Sequence, residues 1–138
     1  MGNKQRVLIL CTGNSARSQM AEGYLRHIAG DKFEVESAGT IASFVRPQAI
    51  AVMTEIGIDI SNHTSKSLEQ FLSQQFDHVI TVCDNAGQNC PIFPGNANRI
   101  RWSFDDPAEG KGSEAEQLEL FRRVRNEIAV KLDEFADH

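Results

Sequence analysis

A chain of 138 residues, 41% hydrophobic and 24% charged, has the composition of one globular domain over residues 1–138, long enough to bury a sizeable core. Its net charge of -5 argues against nucleic acid as the main partner, so any anion site must be built locally. No apolar run approaches the roughly 18 residues of a membrane span, the first residues lack the apolar stretch of a signal peptide, and an odd cysteine count fits the cytosol, so the expected setting is cytoplasmic with no membrane contact.

Arg6–Cys11 is short, aliphatic and β-branched, the pattern of a buried parallel strand. Arg17–Ala29 reads as a helix that Gly30 ends. Phe33–Ser37 alternates Phe33 and Val35 with Glu34 and Glu36, so it is strand-like, and Ala38-Gly39-Thr40 then turns the chain. Pro47 suits the first position of a helix over Gln48–Ile56, closed by Gly57. Ser67–Phe76 is predicted as a further helix with Leu68, Phe71 and Leu72 on one face. Asp77–Cys83 is a second buried strand, and Arg99–Trp102 a shorter one. Glu114–Phe135 is the longest helix. Leu118, Phe121, Val124, Ile128, Leu132 and Phe135 form its core stripe, and Arg122, Arg123 and Arg125 read as a solvated face. Strands alternating with helices imply an α/β three-layer sandwich around a central, mainly parallel four-stranded sheet. Ligands in such sheets bind beyond the carboxyl ends of the strands, where Cys11 and Cys83 both fall.

The stretch Cys11-Thr12-Gly13-Asn14-Ser15-Ala16-Arg17-Ser18 joins the first strand to the first helix. Strand, tight loop and helix N-terminus together make an oxyanion cradle from Thr12, Gly13, Asn14, Ser15, Ala16, Arg17 and Ser18. Their backbone N–H groups and the helix dipole face the anion. The planar fork of Arg17 grips two oxygens, and the same positive field favours the nucleophilic thiolate of Cys11. A buried strand-end cysteine is the plainer reading of Cys11, and the arginine at this spacing argues against it.

Cys83 and Cys90 flank a small polar loop containing Gly87. They are either two unrelated buried thiols or a redox pair that closes a disulfide. The spacing is wrong for a zinc knuckle, and the chain's 3 cysteines and 4 histidines make no recognisable metal set. In Phe104-Asp105-Asp106-Pro107 the carboxyl of Asp106 is a candidate general acid, although Asp-Asp-Pro alone is an ordinary turn.

Taken together these residues resemble the low-molecular-weight tyrosine phosphatase superfamily, and within it the thioredoxin-coupled arsenate reductases. The resemblance runs over essentially the whole chain: Cys11-Thr12-Gly13-Asn14-Ser15, Arg17-Ser18-Gln19-Met20-Ala21-Glu22-Gly23, Ser37-Ala38-Gly39, Asp59-Ile60-Ser61-Asn62-His63-Thr64-Ser65, Cys83…Cys90-Pro91 and Phe104-Asp105-Asp106-Pro107. It implies reduction of arsenate to arsenite in arsenic detoxification by a three-cysteine relay. Cys11 attacks arsenic, Arg17 and the loop hold its oxygens, and Asp106 protonates the departing oxygen. Cys83 then takes the bond from Cys11, and Cys90 closes a disulfide with Cys83 that thioredoxin reduces. No flavin, nicotinamide or obligatory metal is implied, and a monomer is expected. Ala16 stands where many relatives carry an extra cysteine that the relay does not need. Asn14, Glu22 and Ser37 match a potassium site of some relatives, but Lys66 replaces its acidic ligand and disfavours the ion. The alternatives are a protein-tyrosine phosphatase and a non-catalytic oxyanion sensor. The first lacks an aromatic mouth here, since Tyr24 falls within the first helix, and the second needs neither nucleophile nor acid.

Overall fold

The computed structural model describes residues 4–11, 16–40, 44–83, 93, 95–105, 107 and 112–137, Cys83 by its backbone. Four strands, β1 (Gln5–Cys11), β2 (Phe33–Gly39), β3 (His78–Cys83) and β4 (Asn98–Ser103), form one sheet in the order β2-β1-β3-β4. Every pairing in it is parallel. β1 lies between β2 and β3, so Val7 to Leu10 are fully buried with both sheet faces covered, which is why this strand is aliphatic throughout.

Alternation along β1 divides the core. Val7, Ile9 and Cys11 face α1 (Arg17–Ala29), α2 (Pro47–Thr54) and α3 (Glu114–Ala136), packing with Met20, Leu25, Val52, Phe121, Val124, Ile128 and Leu132. Leu8 and Leu10 face the opposite layer, made by Phe71, Phe76 and Phe93 with Val79 of β3. Phe76 meets Phe71 and Phe93 edge-on, with ring centroids 5.9 and 5.6 Å away. The stripe predicted on α3 is the buried one, with Leu118 and Phe135 packed at its margin. Ser113 caps α3 and exchanges bonds with Glu116 in a capping box.

Three expectations are corrected. Ala38 and Gly39 continue β2 rather than turning the chain, because they pair with Leu10 and Cys11, and Gly39 N–H donates to the Lys66 carbonyl at 2.9 Å. The helix expected over Ser67–Phe76 is a single 3-10 turn, Leu68–Phe71. Ser67 bridges to Gly39, and Leu72 is 48% exposed, so the apolar face that would support a helix is not shared. Arg6 engages the following segment instead, donating to the Gln75 carbonyl at 3.0 Å and the Gln74 side chain at 2.7 Å. Arg123 is exposed as expected, but Arg122 and Arg125 are not simply solvated. Arg125 donates to the Val52 carbonyl at 2.8 Å, and Arg122 and Arg125 share Glu55, clamping α3 to the end of α2. Past that end Gly57 has φ +80°, a conformation that suits glycine.

Candidate active site

The carboxyl ends of all four strands lie along one rim, with Cys11 in register with Gly39 and Cys83 with Ser103. Cys11 ends the central strand and is 2% exposed. Its Sγ lies 2.8 Å from Ser18 Oγ in the first turn of α1. With the sulfur ionised, the Ser18 hydroxyl is the donor. The N-cap of α1 is Ala16, whose side chain makes no capping bond. An alanine cap ordinarily costs a helix about 1 kcal/mol relative to Ser or Asp, so a tetrahedral anion is the natural cap for this turn. Arg17 is 6% exposed, and its Nη1 donates to the Phe104 carbonyl at 3.1 Å. That bond fixes the guanidinium against the segment leaving β4.

Of the residues expected to form the site, Cys11, Ala16, Arg17 and Ser18 come together at the junction of β1 and α1. Cys83 ends the strand beside β1. Thr12, Gly13, Asn14, Ser15, Cys90, Asp106 and the Cys83 side chain lie outside the described residues.

Behind the cradle is a buried polar layer that sequence reasoning did not resolve. Gln19 is fully buried, donates to the Thr64 carbonyl at 3.0 Å and accepts from His63 Nδ1 at 3.0 Å. The Gln19 amide oxygen can only accept, so Nδ1–H is the donor, and burial holds the His63 pKa below the ordinary 6.5 against the pull of the Glu22 carboxylate. The signal in the sequence is the stretch Asp59 to Ser65, whose motif by itself gives no role to His63 or Thr64. Glu22, 2% exposed, accepts from Ser37 Oγ and lies 2.9 Å from Arg26 Nη2 and 3.4 Å from Lys66 Nζ. Lys66 also reaches Glu36 at 3.3 Å. Two cationic heads and a hydroxyl thus compensate this buried carboxylate. The Lys66 ammonium and the Arg26 guanidinium stand beside Glu22, one of the residues matching the expected potassium site, while Asn14 lies outside the described residues.

Tyr24 is remote from the rim chemistry. Its hydroxyl donates to Asp133 Oδ1 at 2.7 Å, tying α1 to α3, and burial and that carboxylate push its pKa up to about 12.

The profile of a family described as low molecular weight phosphotyrosine protein phosphatase matches residues 6–138. An arsenate reductase of Halalkalibacterium halodurans is 48% identical over 98% of this chain and 97% of its own length. A solved arsenate reductase in its phosphate-binding state superposes with a TM-score of 0.83 at 36% identity, covering 96% of this chain and 97% of that one. A thioredoxin-dependent arsenate reductase of Corynebacterium glutamicum superposes with a TM-score of 0.65 at 31% identity, covering 96% of this chain and 63% of that one.

Proposed function

This chain belongs to the low molecular weight phosphotyrosine protein phosphatase family, and on that premise we infer that it reduces arsenate to arsenite. The observation that carries the reading is the junction of β1 and α1. There a buried cysteine, a serine hydroxyl 2.8 Å from its sulfur and a buried arginine meet at a helix N-terminus without a capping side chain. A second cysteine, Cys83, ends the neighbouring strand. Arsenate and phosphate share shape and charge, so the cradle takes either. The step after nucleophilic attack separates reduction from hydrolysis.

In the proposed course the Cys11 thiolate bonds to arsenic while Arg17 and the loop amides hold the oxygens, and one oxygen leaves as water with a proton from Asp106. The Cys83 thiolate then attacks the Cys11 sulfur. A Cys11–Cys83 disulfide forms, the sulfur–arsenic bond breaks, and its electron pair stays on arsenic, which leaves as arsenite. The Cys90 thiolate attacks Cys83 in turn, releasing Cys11 as thiolate and leaving a Cys83–Cys90 disulfide. Two thiols supply the two electrons, and an external dithiol restores them. Thioredoxin is the proposed reductant, supported by the likeness to the thioredoxin-dependent enzyme. No potassium is required, since Lys66 already places a cation on Glu22.

The residues that bind arsenate equally bind aryl phosphates, so slow phosphatase activity accompanies reduction. Among the described residues no helix is long and apolar enough to cross a membrane, and the proposed setting is the cytoplasm, as a monomer. The test is arsenite production with thioredoxin, thioredoxin reductase and NADPH, run beside a glutaredoxin–glutathione mixture. Turnover with the first system only is expected. Turnover with glutathione and glutaredoxin alone contradicts the thioredoxin assignment, and no arsenite from either system contradicts the activity.

A further inference from the structure

The segment leaving β4 is held at two successive residues by two arginines from different helices. Arg17 of α1 takes the Phe104 carbonyl at 3.1 Å in a buried contact. One residue on, Arg123 of α3 donates from Nη2 to Asp105 Oδ2 at 2.7 Å. The second terminal nitrogen of Arg123, Nη1, lies 3.7 Å from Glu127 on its own helix. Pro107, two residues past Asp105, is buried. Asp106 therefore stands in sequence between a residue tethered by Arg123 and a buried proline. The Arg123–Asp105 pair is half exposed on both sides, at 50% and 52%, so it adds at most about 1 kcal/mol to folding stability.

We propose that Arg123 is a positioning residue for proton transfer: by holding Asp105 it keeps that carboxylate away from the oxyanion and fixes the point from which Asp106 delivers its proton. The proposal rests on the assignment of Asp106 as general acid. It also answers why two adjacent aspartates do not compete. Asp105 is an acceptor engaged by a guanidinium, which leaves Asp106 as the proton carrier.

The test uses arsenate and a series of aryl phosphates whose phenols span a range of leaving-group pKa. Arg123→Gln is expected to lower kcat for arsenate by about two- to fivefold, the scale of one exposed guanidinium–carboxylate pair, with KM and melting temperature nearly unchanged. Rates on phosphates of acidic phenols, which leave without help, should stay near wild type, while those of basic phenols fall, steepening the dependence on leaving-group pKa. Arg123→Lys should restore most of the loss. In an Asp106→Asn background Arg123→Gln should cost nothing further. Equal loss across all phenols, or the full Arg123→Gln loss in the Asp106→Asn background, overturns the proposal. A wild-type slope in Asp106→Asn overturns the acid assignment and the proposal with it. A steep slope in Asp106→Asn beside a wild-type slope in Arg123→Gln overturns the proposal alone.

Discussion

Replacing Arg17 by lysine keeps the charge and removes the geometry. The guanidinium is 6% exposed, with one nitrogen donating to the Phe104 carbonyl, and in the proposed course its fork also grips the oxyanion. A single ammonium cannot span both in one plane. If it turns to the anion, the Phe104 carbonyl loses a charged donor in a buried setting, a penalty of about 1–3 kcal/mol. The oxyanion also loses the second of two parallel charge-assisted bonds, worth about 1.5–3 kcal/mol. Each 1.36 kcal/mol is roughly a factor of ten, so Arg17→Lys should lower kcat/KM for arsenate by about 10²–10⁴-fold. The assay is NADPH oxidation coupled through thioredoxin reductase and thioredoxin, with arsenite measured directly at the end point. A thermal melt run in parallel separates chemistry from unfolding. A lysine variant within about threefold of wild type, less than roughly 0.7 kcal/mol, would mean that Arg17 only braces the Phe104 segment.

Cys11→Ser should abolish both arsenate reduction and aryl-phosphate hydrolysis, because both begin at the same sulfur; appreciable turnover of either substrate removes Cys11 as nucleophile. Exchanging sodium for potassium at constant ionic strength should leave rate and melting temperature unchanged, since the Lys66 ammonium stands 3.4 Å from Glu22, whereas Lys66→Asp should acquire a potassium-dependent melting temperature. A potassium-specific gain in the unaltered chain contradicts this. His63 has a folded-state pKa below the ordinary 6.5, chiefly through burial. As pH falls below 6.5 the unfolded chain takes up a proton that the folded one refuses, so stability drops, and His63→Gln should flatten that acid limb. An unchanged limb in denaturant titrations between pH 7 and about 5 would place the cost elsewhere.

The parts of this molecule legible from sequence are those set by local pattern. β1 shows itself because a central parallel strand must be apolar on both faces, and α1 and α3 because their periodicity and end residues agree. The cradle shows itself because nucleophile, loop and arginine are contiguous. Long-range contacts were not legible. Gly39 looked like a turn residue, and only its pairing with Cys11 and its bond to Lys66 make it strand. Leu68, Phe71 and Leu72 have helical spacing, but Phe71 is used with Phe76 and Phe93 against the sheet while Leu72 faces solvent. Arg123 and Arg125 sit among acids on α3, and nothing local tells that one reaches Asp105 and the other the Val52 carbonyl. The Gln19–His63 bond joins residues 44 apart in sequence, a contact that composition and spacing cannot reveal.

The relay is tested most directly by mapping disulfides in cysteine variants after exposure to arsenate. Cys83→Ser should make no arsenite yet still hydrolyse aryl phosphates slowly, because hydrolysis needs only Cys11, Arg17 and an acid. Cys90→Ser should release about one equivalent of arsenite, the yield of one two-electron step without a resolving thiol, and stop as a Cys11–Cys83 disulfide. The unaltered chain should yield a Cys83–Cys90 peptide bridge that thioredoxin removes. Normal arsenite formation with both Cys83 and Cys90 replaced, under thioredoxin alone, would contradict the three-cysteine course and require Cys11 to act by itself.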